Sequence, residues 1–127
     1  MARVLVIERD KEMRSIIISY LKISLGIKRS DIAVAKGHWA AIHAMNDDAN
    51  DFKVFIVGKI SLEDFFGDEQ NIIYVTEYHF PEAKMVFCTG KNMFGRGVNV
   101  PRPDKESIGQ IIRNMADVKE ILVEALV

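Results

Sequence analysis

Four residues that lie far apart in the chain follow short apolar runs rich in β-branched side chains: Glu8, Gly58, Thr89 and Arg102. Such runs indicate buried strands. In a parallel sheet, the residues beyond the carboxyl ends of the strands form the ligand or reaction site. We therefore expect these four residues to converge. A carboxylate there could serve a metal ion, and a guanidinium with a hydroxyl could bind an anion. The glycine offers no side chain for chemistry.

The bulk composition predicts one ordinary domain over residues 1–127. The chain is 49% hydrophobic and carries a net charge of −1 from 17 basic and 18 acidic residues, which argues against a dedicated nucleic-acid or membrane-surface binder. Its apolar stretches are far shorter than a membrane span, and the N-terminal stretch is too short for a signal peptide. The single cysteine, Cys88, cannot form an internal disulfide. We therefore expect a cytoplasmic location.

The elements that must position these residues alternate between strands and helices. Asp10 can cap the first helix, Gly26 can end it, and a short helix over 38–45 places Trp39, Ile42 and Met45 on one side. This alternation predicts a parallel, doubly wound α/β sheet. Strands are predicted over 3–7, 31–35, 53–57, 84–88 and 97–100, with a further helix over 68–78.

Five stretches of the chain, in this order and spacing, carry a family resemblance: VLVIERDKEMRSIIISYL, AKGHWAAI, KVFIVG, MVFCTG and VPRP. Over almost its whole length the chain resembles the receiver domain of bacterial response regulators. Thr89 lies at the hydroxyl position of that family, and Gly37 with Ala40 forms its Gly-x-x-Ala pattern.

The resemblance implies a flavodoxin-like fold with five parallel strands in the order 2-1-3-4-5. It also implies a phosphorylation site, in which two adjacent acids and an acceptor aspartate hold Mg²⁺ while a hydroxyl and a lysine contact the phosphoryl group. In this chain the acid pair is Glu8-Arg9, and the acceptor position is Gly58. The lysine position is Arg102, and the aromatic switch position is Asn99. The resemblance therefore implies a degenerate receiver domain.

The residues at this degenerate site leave several interpretations open. Glu8 can form a structural ion pair with Arg9 or Arg102 in place of the metal, or the two arginines and Thr89 can bind a small anion. Gly58 marks the loss of the acceptor, and it can also be a turn glycine with a positive φ angle. We expect no metal and no cofactor, since one carboxylate beside two cations is a poor Mg²⁺ site.

Three functions are consistent with this pattern. The first is a protein-interaction module that acts in a bacterial signalling pathway without phosphorylation. The second is a phosphorelay receiver with an atypical acceptor, for which Ser61, Glu63 and Asp64 are candidates. The third is a small-ligand sensor on the same fold. No nucleophile–base pair or cofactor motif indicates an enzyme.

The segment between Thr89 and Arg102 is too short to hold the fourth helix of the family as well as a strand. We therefore expect that helix to be missing or reduced to a turn, and the glycines of GKNMFGRG at 90–97 agree. Within this loop, Met93 and Phe94 either fold back onto the core or form an exposed docking pair.

The C-terminal residues show the spacing of a long amphipathic helix over about 105–126. Their apolar side chains recur at intervals of three and four, as in a coiled-coil seam. A helix of this length would be longer than the sheet beneath it, so its last turns should overhang. That overhang predicts an exposed surface for a homodimer or a coiled coil. The surface comprises Val118, Ile121, Leu122 and Leu126.

Overall fold

The β-branched runs of the sequence form a parallel sheet. The computed structural model describes residues 1–61, 67–91, 93 and 97–126. Five strands pair in parallel in the order β2-β1-β3-β4-β5. The predicted α/β class and strand order are therefore confirmed. The strands are β1 (Val4–Ile7), β2 (Ile32–Ala35), β3 (Val54–Gly58), β4 (Lys84–Cys88) and β5 (Val98–Asn99).

Helices cover both faces of the sheet. The strand residues of β1 and β3 are all buried, because successive side chains point to opposite faces and each face is packed. Val4, Val6 and Ile56 point into the core beneath one helical layer, whereas Leu5 and Phe55 point into the core beneath the other. The helices are α1 (Lys11–Ser19), α2 (His38–Met45), α3 (Gly67–His79), α4 (Gln110–Ala116) and α5 (Lys119–Leu126).

The first helix begins and ends where the sequence predicted. The side chain of Asp10 accepts a hydrogen bond from the backbone N–H of Met13 at 2.9 Å, as a helix cap does. After Ser19 the chain continues as a π-helical turn over Tyr20–Ser24. Gly26 then adopts a φ of 69°, a conformation that L side chains rarely adopt. Asp10 and Gly26 therefore bound the helical segment formed by α1 and the π-helical turn.

Helix α2 presents a different side to the core from the one the sequence suggested. Its buried residues are Ala41 and Met45, four positions apart and therefore on one face. Trp39 is 79% exposed, so the prediction that it shares the apolar side with Met45 was wrong. The small Ala41 allows α2 to approach the sheet closely, and Trp39 is turned outward.

The described residues between β4 and β5 form no helix, which agrees with the expectation that the family's fourth helix is missing or reduced to a turn. The described residues of this connection, 89–91, 93 and 97, lie in turns, bends or irregular structure. Gly90 has a φ of 90°, and a Cβ atom on Gly97 would lie 2.7 Å from Cζ of Phe87. The loop therefore turns sharply at its start and packs on an aromatic ring at its end.

The C-terminal segment is not one continuous helix, and the prediction of a long helix over 105–126 was wrong. A 3₁₀ turn over Lys105–Ser107 precedes α4, and the chain breaks again between α4 and α5. At this break the N–H groups of Asp117 and Val118 bond to carbonyls three residues back, a 3₁₀ pattern that interrupts the α-helical hydrogen bonds.

The last residues of the described chain pack onto the sheet. Val118, Leu122 and Leu126 are all buried in the same core as β1 and β3, and Ile121 is half-buried. The expected overhang with an uncovered surface was therefore wrong, and the predicted homodimer loses its basis. No helix in the described part of the chain has both the length and the apolar character to cross a bilayer.

Candidate functional site

The carboxyl ends of β1, β3 and β4 bring together Glu8 and Gly58, with Arg102 reaching in from the segment after β5. Gly58 pairs with Cys88 across β3 and β4, and the N–H of Glu8 bonds to the carbonyl of Ala35 at 3.0 Å. Glu8 is fully buried. The predicted convergence of these residues at one edge of the sheet is observed.

Glu8 and Arg102 form a bidentate ion pair. The Nη1–Oε1 distance is 2.5 Å and the Nη2–Oε2 distance is 3.2 Å. The same Nη1 donates to the carbonyl of Cys88 at 2.9 Å, and Oε2 also accepts the N–H of Asp10 at 2.9 Å. Burial alone would lower the pKa of Arg102, but the hydrogen bond and charge of Glu8 raise it above the ordinary value. The guanidinium therefore stays charged and neutralises the carboxylate.

Gly58 is required by the space that Glu8 occupies. A Cβ atom on Gly58 would overlap Oε1 of Glu8 and would lie 2.7 Å from its carboxyl carbon and 3.3 Å from Nη1 of Arg102. Among the described residues, positive φ angles occur only at Gly26 and Gly90, so the interpretation of Gly58 as a positive-φ turn glycine was wrong. The carboxylate of Glu8 fills the place where a side chain at position 58 would stand.

Arg9 points away from this ion pair. Its side chain is exposed, its Nη1 donates to the carbonyl of Ser61 at 2.9 Å, and its N–H bonds to the carbonyl of Lys59 at 3.3 Å. Of the two partners expected for Glu8, the structure therefore provides Arg102. The buried Arg14 donates to the carbonyls of Glu8 and Arg9 at 3.0 and 3.1 Å and so holds the turn after β1.

Thr89 and Asn99 are bonded to the loop between β4 and β5. The buried hydroxyl of Thr89 donates to the carbonyl of Lys91 at 2.8 Å and accepts its N–H at 3.3 Å. The exposed Asn99 binds the N–H and carbonyl of Met93 at 2.9 and 3.3 Å. Met93 itself is buried, which agrees with the core interpretation. Phe94 lies outside the described residues.

Glu69 is a site residue that sequence reasoning missed. It is fully buried at the start of α3 and accepts the N–H groups of Ile60 and Ser61 at 2.9 and 3.2 Å, together with the hydroxyl of Ser61. It shares the buried side of α3 with Ile72 and Ile73. A charged residue at helical spacing from two apolar ones was the signal that could have found it. Of the three candidate phosphoacceptors, Ser61 is therefore bonded to Glu69, and Glu63 and Asp64 lie outside the described residues.

A cavity of about 610 Å³ opens beside the ion pair. The lining includes Lys59, Thr89, Lys91 and Arg102, with Asp104 as an opposing charge. The excess of basic groups gives the cavity a cationic lining, although Arg102 is already neutralised by Glu8.

Comparisons with known proteins identify the fold. No protein-family model matches the chain, and no curated protein matches it in sequence. The receiver domain from hybrid histidine kinase CckA resembles it with a TM-score of 0.66 and 16% sequence identity, over 96% of this chain and 99% of that chain. The response regulator domain of Thermotoga maritima CheB resembles it with a TM-score of 0.62 and 15% identity, over 98% of this chain and 96% of that chain. A mutant receiver domain of histidine kinase CKI1 from Arabidopsis thaliana resembles it with a TM-score of 0.58 and 14% identity, over 97% of this chain and 88% of that chain. The resemblance to receiver domains is confirmed at the level of the fold.

The residues at the carboxyl edge do not fit the Mg²⁺ that receiver domains are expected to hold. Both oxygens of Glu8 are bonded to Arg102, Arg9 is a cation, and Gly58 has no side-chain ligand atom. A hard cation needs several oxygen ligands including a carboxylate. In the described part of the chain, no group of three or more His, Cys, Asp or Glu side chains is arranged to hold a metal ion.

Proposed function

We propose that this chain uses its receiver fold as a non-enzymatic protein-interaction module, in the cytoplasm of a bacterial cell, and that its signalling role does not require phosphorylation. The fold it shares with the receiver domain from CckA and the response regulator domain of CheB supports the signalling part of this proposal.

The Glu8–Arg102 pair beside Gly58 carries the proposal. A phosphoacceptor must present a carboxylate oxygen that an incoming phosphoryl group can approach. Position 58 has no carboxylate, and the space beside it is filled by the carboxylate of Glu8. That carboxylate has no exposed surface and accepts bonds from Arg102 and Asp10. The arrangement is an internally neutralised pair rather than an acceptor.

The atypical-acceptor alternative has one described candidate, Ser61. Its side chain is buried, and its hydroxyl donates to Glu69, so a phosphoryl donor could reach it only after the loop opens. The ligand-sensor alternative rests on the cavity beside Lys59 and Arg102. Neither alternative explains why position 58 is a glycine, whereas the filled acceptor position does.

Intact mass spectrometry after incubation with acetyl phosphate and Mg²⁺ tests the proposal. We expect no added phosphoryl mass, while a receiver domain with an intact acceptor aspartate is labelled in parallel. A phosphoryl group mapped to a defined residue of this chain would refute the proposal, and a label on Ser61 would establish the atypical acceptor.

A restored site gives a second measurement. Gly58→Asp alone should remain unlabelled because Glu8 occupies the required space, and adding Arg9→Asp should not relieve that overlap. A triple variant that also carries Glu8→Asp shortens the obstructing side chain and is the fair rescue attempt. Labelling of Gly58→Asp alone would show that the ion pair yields easily, and the filled-site interpretation would then fail.

A further inference from the structure

Three large aromatic side chains lie in water on α2 and α3. Trp39 is 79% exposed, Tyr74 66% and Tyr78 80%. Both helices pack on the same side of the sheet and contact each other. Their buried sides are formed by other residues, among them Ala41 and Ile72. The three aromatic rings are therefore additional to the core.

These rings belong to one continuous surface. The ring of His38 packs edge-on against Trp39 with centroids 4.9 Å apart, and Nε2 of His38 lies 2.5 Å from Nδ2 of Asn71. Asn71 is followed on α3 by Tyr74 and Tyr78, at spacings that keep them on one side of the helix. Asn71 and Tyr78 are about 10 Å apart along the axis. We call this surface the α2–α3 face.

The α2–α3 face is acidic. Residues 38–52 and 67–83, which form α2, α3 and their flanking turns, contain seven Asp or Glu residues and no Lys or Arg. All 17 basic residues of the chain lie elsewhere. The exposed Asp68 and Glu77 are each three positions from Asn71 and Tyr74 respectively, so they border the aromatic rings.

We propose that the α2–α3 face binds a basic segment of a partner protein, with arginine or lysine side chains on the faces of Trp39, Tyr74 and Tyr78. A cation over an aromatic ring is attracted by the ring quadrupole, and neighbouring carboxylates strengthen that attraction. Each ring buries roughly 150–250 Å² when covered, an area that proteins rarely leave exposed without a use. This inference rests on the proposed interaction function and assigns its surface and partner class.

The charge of the face also excludes other macromolecules. The two segments expose six acids and no Lys or Arg, so this surface repels nucleic-acid phosphates and anionic lipid headgroups. A basic protein segment satisfies both the aromatic and the acidic components of the surface.

The single tryptophan of the chain reports on this face directly, because Trp39 is the only one. The probe is a synthetic amphipathic helical peptide with Leu and Arg on one side, and the control peptide carries Glu in place of Arg. We expect the Arg peptide to shift the Trp39 emission to shorter wavelength and to protect it from acrylamide quenching, with an affinity in the micromolar range that weakens as salt is raised. The Glu peptide should have no effect.

Two variants and a matched control define the surface. Tyr74→Ser and Glu77→Lys should each weaken binding of the Arg peptide about tenfold. Ile23→Ser removes an equally exposed apolar side chain (83% exposed) from the π-helical turn after α1, outside the α2–α3 face, and should leave binding unchanged. Circular dichroism of each variant shows whether the fold is retained.

Three outcomes would overturn the inference: no change in Trp39 emission with the Arg peptide, equal binding of the Glu peptide, or an equal effect of Ile23→Ser. Concentration-dependent dimerisation that Tyr74→Ser abolishes would assign the face to a second copy of this chain and would also overturn it. Phosphoryl labelling by acetyl phosphate would refute the proposed function instead, and it can be measured on the same sample without affecting the peptide result.

Discussion

At the carboxyl edge of the sheet, charged side chains are buried and bonded to one another, whereas on the α2–α3 face the largest aromatic side chains lie in water. Glu8 and Arg102 neutralise each other, and Glu69 holds the chain after β3. Trp39 and Tyr78, by contrast, leave about four-fifths of their surface exposed to solvent. The side chains of the first region therefore interact within the protein, whereas those of the second remain accessible to a partner.

On the proposed function, the fold keeps its architecture while the interaction surface lies away from the carboxyl edge of the sheet. At the edge where parallel sheets usually bind ligands, the side chains of this chain stabilise the structure. Substitutions there should lower the free energy of unfolding, and substitutions on the α2–α3 face should change binding alone. The following experiments test that separation, from the largest expected effect to the smallest.

The largest loss should come from Gly58→Ala. The added methyl group must displace the buried carboxylate of Glu8 and break its pair with Arg102, so we expect the free energy of unfolding to fall by about 3–5 kcal/mol. Urea denaturation measures the change. Gly109→Ala is the control, because a Cβ atom there meets nothing within 4 Å. Equal stability of the two variants would show that position 58 tolerates a side chain.

Glu8→Gln should cost about 1–3 kcal/mol, since it leaves the half-buried Arg102 without its counter-charge. Asp51→Asn makes the same chemical change in the half-exposed pair with Lys53, whose separation is 3.2 Å, and should cost less than about 1 kcal/mol. Thermal melts of both variants in low salt give the comparison. A larger loss for Asp51→Asn would contradict the structural role of the buried pair.

Glu69→Ala should cost about 2 kcal/mol, because it removes the acceptor for the N–H groups of Ile60 and Ser61. Hydrogen exchange at these two amides should accelerate more than exchange in β1. Glu77→Ala, on the exposed side of the same helix, serves as the control. Unchanged exchange at Ile60 would mean that the loop after β3 is held by other contacts.

Asp10→Ala should cost about 1 kcal/mol at pH 7 by removing the cap of α1. The hydrogen bond from Met13 holds the pKa of Asp10 below its ordinary value of 3.8. A lowered pKa in the folded state means that this stabilisation is present above about pH 4 and is lost as the pH falls through the folded-state pKa. Urea titrations at several pH values should show the variant and the wild type converging once the pH is below the folded-state pKa of Asp10. A difference that persists there would exclude the carboxylate as its source.

Trp39→Ser should have the smallest effect on stability, within about 0.5 kcal/mol, because the ring lies outside the core. The same variant should lose binding to the Arg peptide. Because it has no tryptophan, binding is measured with a fluorescent label on the peptide. A loss of stability comparable to that of Glu8→Gln would remove the distinction between the two regions.

The sequence was sufficient to predict the sheet because its signals are local. A run such as Val54–Val57 ending in a glycine has few alternatives to a buried strand, and the resemblance to receiver domains then predicts the strand order. The short distance between Thr89 and Arg102 was enough to predict that the described residues between β4 and β5 form no helix. In the same way, Asp10 and Gly26 predicted the ends of α1 through backbone chemistry that each residue carries by itself.

The remaining features depend on contacts between distant residues. Whether Glu8 bonds to Arg9 or Arg102 is decided by side-chain rotamers after folding, and no spacing in the sequence predicts it. The break at Asp117 contains no glycine or proline, so the regular apolar spacing on either side looked continuous. Trp39 was misplaced because its spacing from Met45 suits a helix face that the small Ala41 occupies instead.

The lone cysteine allows the opening of the sheet to be measured by thiol alkylation. Cys88 is fully buried at the end of β4, and its Sγ lies 3.8 Å from the carbonyl oxygen of Pro101. Burial raises the pKa of its thiol to about 12. At neutral pH such a thiol is ionised in roughly one molecule in a hundred thousand, so an alkylating reagent can modify it only when the strand separates from its neighbours. When the sheet closes faster than the reagent reacts, the rate of modification therefore reports the fraction of molecules in which the sheet is open.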